Sequence, residues 1–120
     1  SLGNLQSVGE FLWLSRSSIK SLGNLQSVGG DLLLGNTPIE SLGNLISVGG
    51  TLDLRKTPIE SLGNLTSVGG DLYLTNSSVT SIGKLSYVGN SLFLLDTPLS
   101  KKYTEEEIRQ MVNVSGNIHI

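Results

Sequence analysis

The 120-residue chain has no cysteine, and only one histidine, one tryptophan and one methionine. Without cysteine there is neither a disulfide framework nor a thiolate metal site. The lack of thiols fits a reducing compartment, so a cytoplasmic setting is expected. Aromatic residues make up 5% of the chain, too few for a globular core that leans on rings. Eight basic residues against ten acidic ones give a net charge of −2. That balance leaves no basic stripe for nucleic acid and no polybasic patch for an anionic membrane surface. No stretch approaches 18 apolar residues, so no membrane insertion is expected. No basic start followed by an apolar run marks a signal peptide.

What the chain has is glycine, 15 residues of it, and a period. SLGNLQSVGE begins at Ser1, SLGNLQSVGG at Ser21, SLGNLISVGG at Ser41 and SLGNLTSVGG at Ser61, with a diverged SIGKLSYVGN at Ser81. The second half of each unit recurs as well: DLLLGNTPIE, TLDLRKTPIE, DLYLTNSSVT, SLFLLDTPLS. A fixed 20-residue period with fixed apolar columns predicts a solenoid, in which each turn buries its apolar side against the next. Five such units cover residues 1–100, and residues 101–120 form a different, closing unit.

Within a unit, Leu72 and Leu74 lie two apart and share one face of an extended strand, with Tyr73 on the other. One short strand per turn, stacked in parallel at roughly 4.8 Å, is expected. The fold class is therefore mainly β, a right-handed solenoid resembling a β-helix, with a C-terminal helix-plus-strand cap. The residues Ile82, Leu85 and Val88 are spaced by three between glycines that oppose a helix, which predicts a 3₁₀ turn or an extended arc. The Gly-Gly pair before each strand predicts either a positive φ or close backbone approach. Asn4, Asn24, Asn44 and Asn64 are expected to bond backbone groups of neighbouring turns or simply to favour turn conformations. The hydroxyl column Ser17, Thr37, Thr57, Ser77, Thr97 is expected to satisfy the corner after the strand, where Thr-Pro pairs turn the chain.

The unit Leu72-x-Leu74-x-x-Ser77-x-Val79 resembles the second half of the leucine-rich repeat, L-x-x-L-x-L-x-x-N-x-L, with Ser or Thr at the family's Asn and Val68 near its first Leu. The phrase L-x-S-V-G-G-D-L-x-L is also similar to receptor L-domain repeats. SLGNLTSVGGDLYL arrays look like those of uncharacterised bacterial and bacteriophage proteins. The resemblance spans Ser1 to Ser100. It implies a fold, a tendency to bind other proteins, and a bacterial or phage-infected cell as the setting. It implies no catalytic residue.

The closing unit reads KKYTEEEIRQMVNVSGNIHI. Thr104 and Glu107 make a capping box, and Ile108, Met111 and Val112 an apolar face. These predict a helix over about 105–112, then a final strand over about 117–120 in which Ile118 and Ile120 fill the Leu72 and Leu74 columns. Tyr103 is expected to pack nearby. The first unit shows no comparable cap. Either more chain precedes Ser1, or that turn frays, or that edge meets a partner, including a second copy.

Function is sought where the units differ. The outward strand column reads Trp13, Leu33, Asp53, Tyr73, Phe93, flanked by Phe11 before it and by Arg55 and Leu95 after it. Aromatic and Arg side chains of this kind are enriched at protein interfaces, and the sequence predicts a protein-binding face made of Phe11, Trp13, Leu33, Asp53, Arg55, Tyr73, Phe93 and Leu95. The competing reading is a cross-strand ladder that only stabilises the sheet. A structural or assembly role, in a virion or at a cell surface, through the open N-terminal end is the alternative. Asp31 and Asp71 sit at equivalent positions two turns apart, a weak arrangement for acid–base chemistry, and His119 falls on the closing strand. No enzyme activity, catalytic residue, metal or cofactor is expected.

Overall fold

The computed structural model describes residues 2–120. The chain is a mainly β solenoid with two parallel six-stranded sheets. The first sheet is built from β1 (Ser7–Val8), β3 (Ser27–Val28), β5 (Ser47–Val48), β7 (Ser67–Val68), β9 (Tyr87–Val88) and β11 (Asn113–Val114). The second is built from β2 (Leu12–Trp13), β4 (Leu32–Leu33), β6 (Leu52–Asp53), β8 (Leu72–Tyr73), β10 (Leu92–Phe93) and β12 (Ile118–His119). The register is one repeat per turn: Val48 pairs with Val68, and Leu52 with Leu72.

Each turn thus carries two strands, where the sequence predicts one. Of the 3₁₀ turn and the extended arc open to the Ser-Val segment, the extended form is observed, but paired into a sheet. Its backbone joins the next turn, as when Gly29 N donates to Val8 O at 2.7 Å. The glycines make this possible through close approach. A Cβ at Gly29, Gly49, Gly69 or Gly89 would overlap the carbonyl of the glycine one turn before it. Of the two roles open to the Gly-Gly pair, close approach is the one observed. Positive φ falls instead on the earlier glycine column, at +61° for Gly23 and +57° for Gly63. There Leu25 N bonds Leu22 O at 3.2 Å, which gives the positive-φ second position of a type II′ turn.

A second tight corner follows β2, β4, β6, β8 and β10. It places Arg16, Asn36, Lys56, Asn76 and Asp96 at φ near +60°, from 58° to 61°. Asn and Asp tolerate this left-handed region; for other side chains it costs roughly 1–2 kcal/mol. The buried hydroxyl column closes the corner. Thr37, Thr57 and Thr97 each donate Oγ1 to the carbonyl of Leu34, Leu54 and Leu94, each at 2.7 Å. Ser77 holds the same place, but its Oγ is buried without a partner among the described residues. The Asn column, by contrast, is exposed. Its side-chain bond runs from Asn24 Nδ2 to Asn4 Oδ1 at 3.4 Å, side chain to side chain rather than to backbone.

The core is a column of Leu, Ile and Val from every turn, fully buried from Leu22 through Leu94 apart from slight exposure at Leu42, Ile82 and Leu85. At its C-terminal end the period breaks. Ile118 pairs with Leu92 across 26 residues rather than 20, and the connection between them contains two helices. The first, α1 (Pro98–Lys102), is not expected from the sequence. Thr97-Pro98, which in earlier turns only bends the chain, here supplies an N-cap and a first helical proline, with Ser100 N donating to Thr97 Oγ1 at 3.1 Å. The second, α2 (Glu105–Met111), carries the capping box: Glu107 N donates to Thr104 Oγ1 at 3.2 Å, and Thr104 N to Glu107 Oε1 at 3.0 Å. Leu99, Ile108 and Val112 cover the end of the column, and Tyr103 packs against it. Met111 and Ile120, both expected inside, are exposed. Met111 lies on the outer side of the last helical turn, and Ile120 lies past the end of β12. Arg109 ties the lid down, donating from Nη1 to Val114 O at 3.1 Å and from Nη2 to Gly116 O at 3.0 Å.

Candidate functional site

The outward face of the second sheet carries the side chains that alternate with the inward-facing leucines of β2, β4, β6, β8 and β10 and Ile118 of β12. Strand alternation puts Trp13, Leu33, Asp53, Tyr73, Phe93 and His119 in one column. The structure divides this column into two clusters with a polar hinge between them.

At the C-terminal side the rings stack on one another. Tyr73 and Phe93 lie 4.5 Å apart between centroids, and Phe93 and His119 lie 4.4 Å apart, with planes 13° and 4° from parallel. The guanidinium of Arg55 covers the remaining face of Tyr73, 4.7 Å from its centroid. Ring faces are thus spent on each other, and the edges are what solvent meets. Tyr73 and Phe93 are accordingly half-buried. Burial pushes the Tyr73 phenol pKa up, and the neighbouring Asp71 carboxylate adds to it. Leu95 lies exposed beyond this stack.

The hinge is Asp53. Rather than standing out from the face, it is folded down and 7% exposed. Its oxygens accept from Arg55 N and Nε at 3.0 Å and from Arg55 Nη2 at 2.9 Å. The bond to Asp53 raises the Arg55 pKa above its ordinary value despite partial burial. Room for this fold comes from one turn away: Gly35 has no side chain, and a Cβ there would sit 3.2 Å from Asp53 Oδ2.

At the N-terminal side Phe11 and Trp13 stack at 5.6 Å, yet remain 58% and 67% exposed. Leu33 beside them is half-buried. Of the eight residues singled out from sequence, Arg55, Tyr73 and Phe93 form one contiguous group with Asp53, and Phe11 and Trp13 another. His119 joins the first group, although the sequence reading leaves it out of the face. Its place between two isoleucines, in a strand mimicking Leu-x-Leu, is the signal that would have added it.

A polar ladder along the edge of this face also escapes the sequence reading. Thr51 N donates to Asp31 Oδ1 at 2.8 Å, Asp71 N to Thr51 Oγ1 at 3.3 Å, Ser91 N to Asp71 Oδ1 at 3.0 Å, and Asn117 N to Ser91 Oγ at 3.2 Å. Each side chain accepts from the backbone of the next turn. The column of acceptor types at positions 31, 51, 71 and 91 was the available signal. Phe11 breaks the ladder at its N-terminal end. Asp31 and Asp71 are therefore occupied with backbone groups. Among the described residues no cluster of three or more His, Asp or Glu side chains is placed to hold a metal, and no helix is long and apolar enough to cross a membrane.

The first sheet carries its own groove of about 400 Å³ along the serine and glycine columns, with Tyr87 at one end. No protein-family model matches this chain, and no curated protein or solved structure matches it either.

Proposed function

We propose that the chain is a non-catalytic protein-binding solenoid that uses the outward face of its second sheet. The observation that carries the reading is the Phe11–Trp13 pair, two large rings left more than half exposed where the equivalent rings further along are stacked and partly covered. Exposed aromatic residues of this size are the usual energetic centres of interfaces. The resemblance to leucine-rich repeats supports the reading, since such coils present a sheet face to partners. Asp31, Asp53 and Asp71 support the non-catalytic part, because all three carboxylates already accept hydrogen bonds from the protein itself. The N-terminal cluster is the contact region, and the Tyr73–Phe93–His119 stack is the rigid flank beside it.

The test is affinity capture of partners by the unaltered chain, Trp13→Ala and Phe93→Ala in parallel. A partner lost with Trp13→Ala and kept with Phe93→Ala supports the reading. Equal retention by all three removes the face from consideration.

A second reading is favoured by a different observation. Leu2, Val8, Leu12, Leu14 and Ile19 are only partly buried at the N-terminal end, and Leu5 is 41% exposed. Such an end suits an assembly role in which a second copy of the chain covers it. Sedimentation over a concentration series separates the two: a monomer that still captures its partner favours recognition, and a dimer dissolved by Leu5→Asp favours assembly.

A further inference from the structure

The corner after the second-sheet strands holds a group of charges that the aromatic face does not use. Arg16, Asn36 and Lys56 occupy the same corner position in three successive turns. Together with Arg55 they surround a cleft of about 340 Å³ over Gly35. Gly35 is the reason for the cleft. Its column otherwise reads Ser15, Arg55, Thr75 and Leu95, and only here is there no side chain to fill the face.

The charge in the cleft is unbalanced. Asp53 is the one carboxylate lining it, and Arg55 neutralises that carboxylate through a two-pronged bond. Arg16 and Lys56 have no ion-pair partner among the described residues. Arg55 Nη1 makes no hydrogen bond among the described residues, while Nε and Nη2 fix the plane of the guanidinium. The cleft therefore offers a net charge of two, one pre-oriented guanidinium and the Asn36 amide.

The backbone gives an independent reason to read this as more than a solvated surface. The corner requires a left-handed φ, 61° at Arg16 and 58° at Lys56. Turns two, four and five meet it with Asn36, Asn76 and Asp96, the side chains that tolerate it. The two turns that depart from this choice are the two that flank the cleft, and both place a cation there. Strained residues of this kind gather where a site needs a particular side chain.

We propose that this cleft binds a dianionic oxyanion, the phosphate group of a phosphate monoester. Two uncompensated cations match its charge of about −1.5 to −2 near neutral pH, whereas a carboxylate would neutralise only one. The cations do not continue along the corner, which passes to Asn76 and Asp96, so the site takes a single phosphate group and not a polyanion. The proposal does not depend on the aromatic contact region.

The experiment is a nuclear magnetic resonance titration of the ¹⁵N-labelled chain with inorganic phosphate at constant ionic strength. The expected result is a saturable shift of the Arg16, Asn36, Arg55 and Lys56 signals. The double variant Arg16→Asn, Lys56→Asn should weaken binding by at least about tenfold. Asn suits the left-handed corner, so the variant should melt no lower than the parent, and a loss of binding is then not a loss of fold. Parallel arms with blocked phosphoserine and with glycerol 3-phosphate assign the phosphate to a modified protein or to a small ester, according to which binds tighter. Shifts that do not saturate, that acetate reproduces equally, or that persist in the double variant overturn the proposal.

Discussion

Residues 1–9 and 21–29 have the same sequence, SLGNLQSVG, and their described residues, 2–9 and 21–29, differ in burial. Leu25 is fully buried, while Leu5 at the same position of the first turn is 41% exposed. At the opposite end the last leucines are sealed by Leu99, Ile108 and Val112. The contrast shows that a turn of this coil does not own its core. Part of each leucine's burial comes from the turn before it and part from the turn after. The stability of the whole therefore depends on what closes each end. The C-terminal end is closed by residues that abandon the repeat to do so, whereas the first described turn keeps the repeat and leaves Leu5 partly in water.

The sharpest test of this contrast is truncation of one apolar side chain at each end. Ile108→Ala should cost about 2–5 kcal/mol, the range for a buried large-to-small change, because Ile108 has no exposed surface. Leu5→Ala should cost less than about 1 kcal/mol, since much of that side chain already meets water. Chemical denaturation midpoints read both, and similar losses would erase the distinction between the ends.

A smaller effect is expected from the glycine column. Gly49→Ala pushes a methyl into the Gly29 carbonyl, and overpacking of this sort costs about 1–3 kcal/mol. At Gly9 nothing lies within 4 Å of the added Cβ, so Gly9→Ala should stay within about 0.5 kcal/mol of the parent. Thermal melts of the two variants should diverge. If they coincide, the close approach of neighbouring turns is not what selects glycine.

Within the closed half, Ser77→Thr should stabilise by roughly 0.5–1.5 kcal/mol by giving the buried hydroxyl the Leu74 carbonyl, as Thr57 bonds Leu54. A crystal structure of the variant should show that bond. Its absence, or a lower melting point, would mean that the Thr-Pro context sets the corner.

The smallest effect is alkaline. The Tyr73 pKa is raised above its ordinary 10.0 by burial and by Asp71. The folded chain therefore holds this proton more tightly than the unfolded one. The stabilisation is complete below the ordinary tyrosine range and fades as pH rises through the folded value. Tyr73→Phe should flatten the fall in stability above about pH 10. An unchanged slope would assign the effect elsewhere.

Much of this was legible in the amino-acid order, for a physical reason. Leu72 and Leu74 repeat at a strict interval and lie two apart, so both the stacking and the strand announce themselves. The capping box at Thr104 is equally local. The first sheet was not legible: strands in both sheets are two residues long, but the Ser-Val strands lack the Leu-x-Leu pair of the second sheet and run into glycines that read as breakers. Only the structure shows those glycines letting one turn's carbonyl reach the next turn's N–H. The helix at Pro98 escaped because the same Thr-Pro bends the chain elsewhere, and the residues after the proline decide between bend and helix. The candidate site was half legible. The outward column could be read off directly, but the folded position of Asp53 depends on Gly35 one turn away. The stacking of Tyr73 on Phe93 depends likewise on side chains choosing each other over solvent.

The one-repeat register carries a mechanical consequence. Neighbouring turns share no interlocking element, so a pull on the two termini would open the coil one turn at a time, like thread leaving a spool. Each repeat turn would release 20 residues, about 65–70 Å of extended chain, and the closing turn 26. The first described turn, whose apolar side chains are the least buried, should yield first and the lidded C-terminal turns last. A force-extension trace would then show a staircase of equal steps, with a longer one for the closing turn, at rising force, and a single abrupt rupture would show the turns to be bound into one unit.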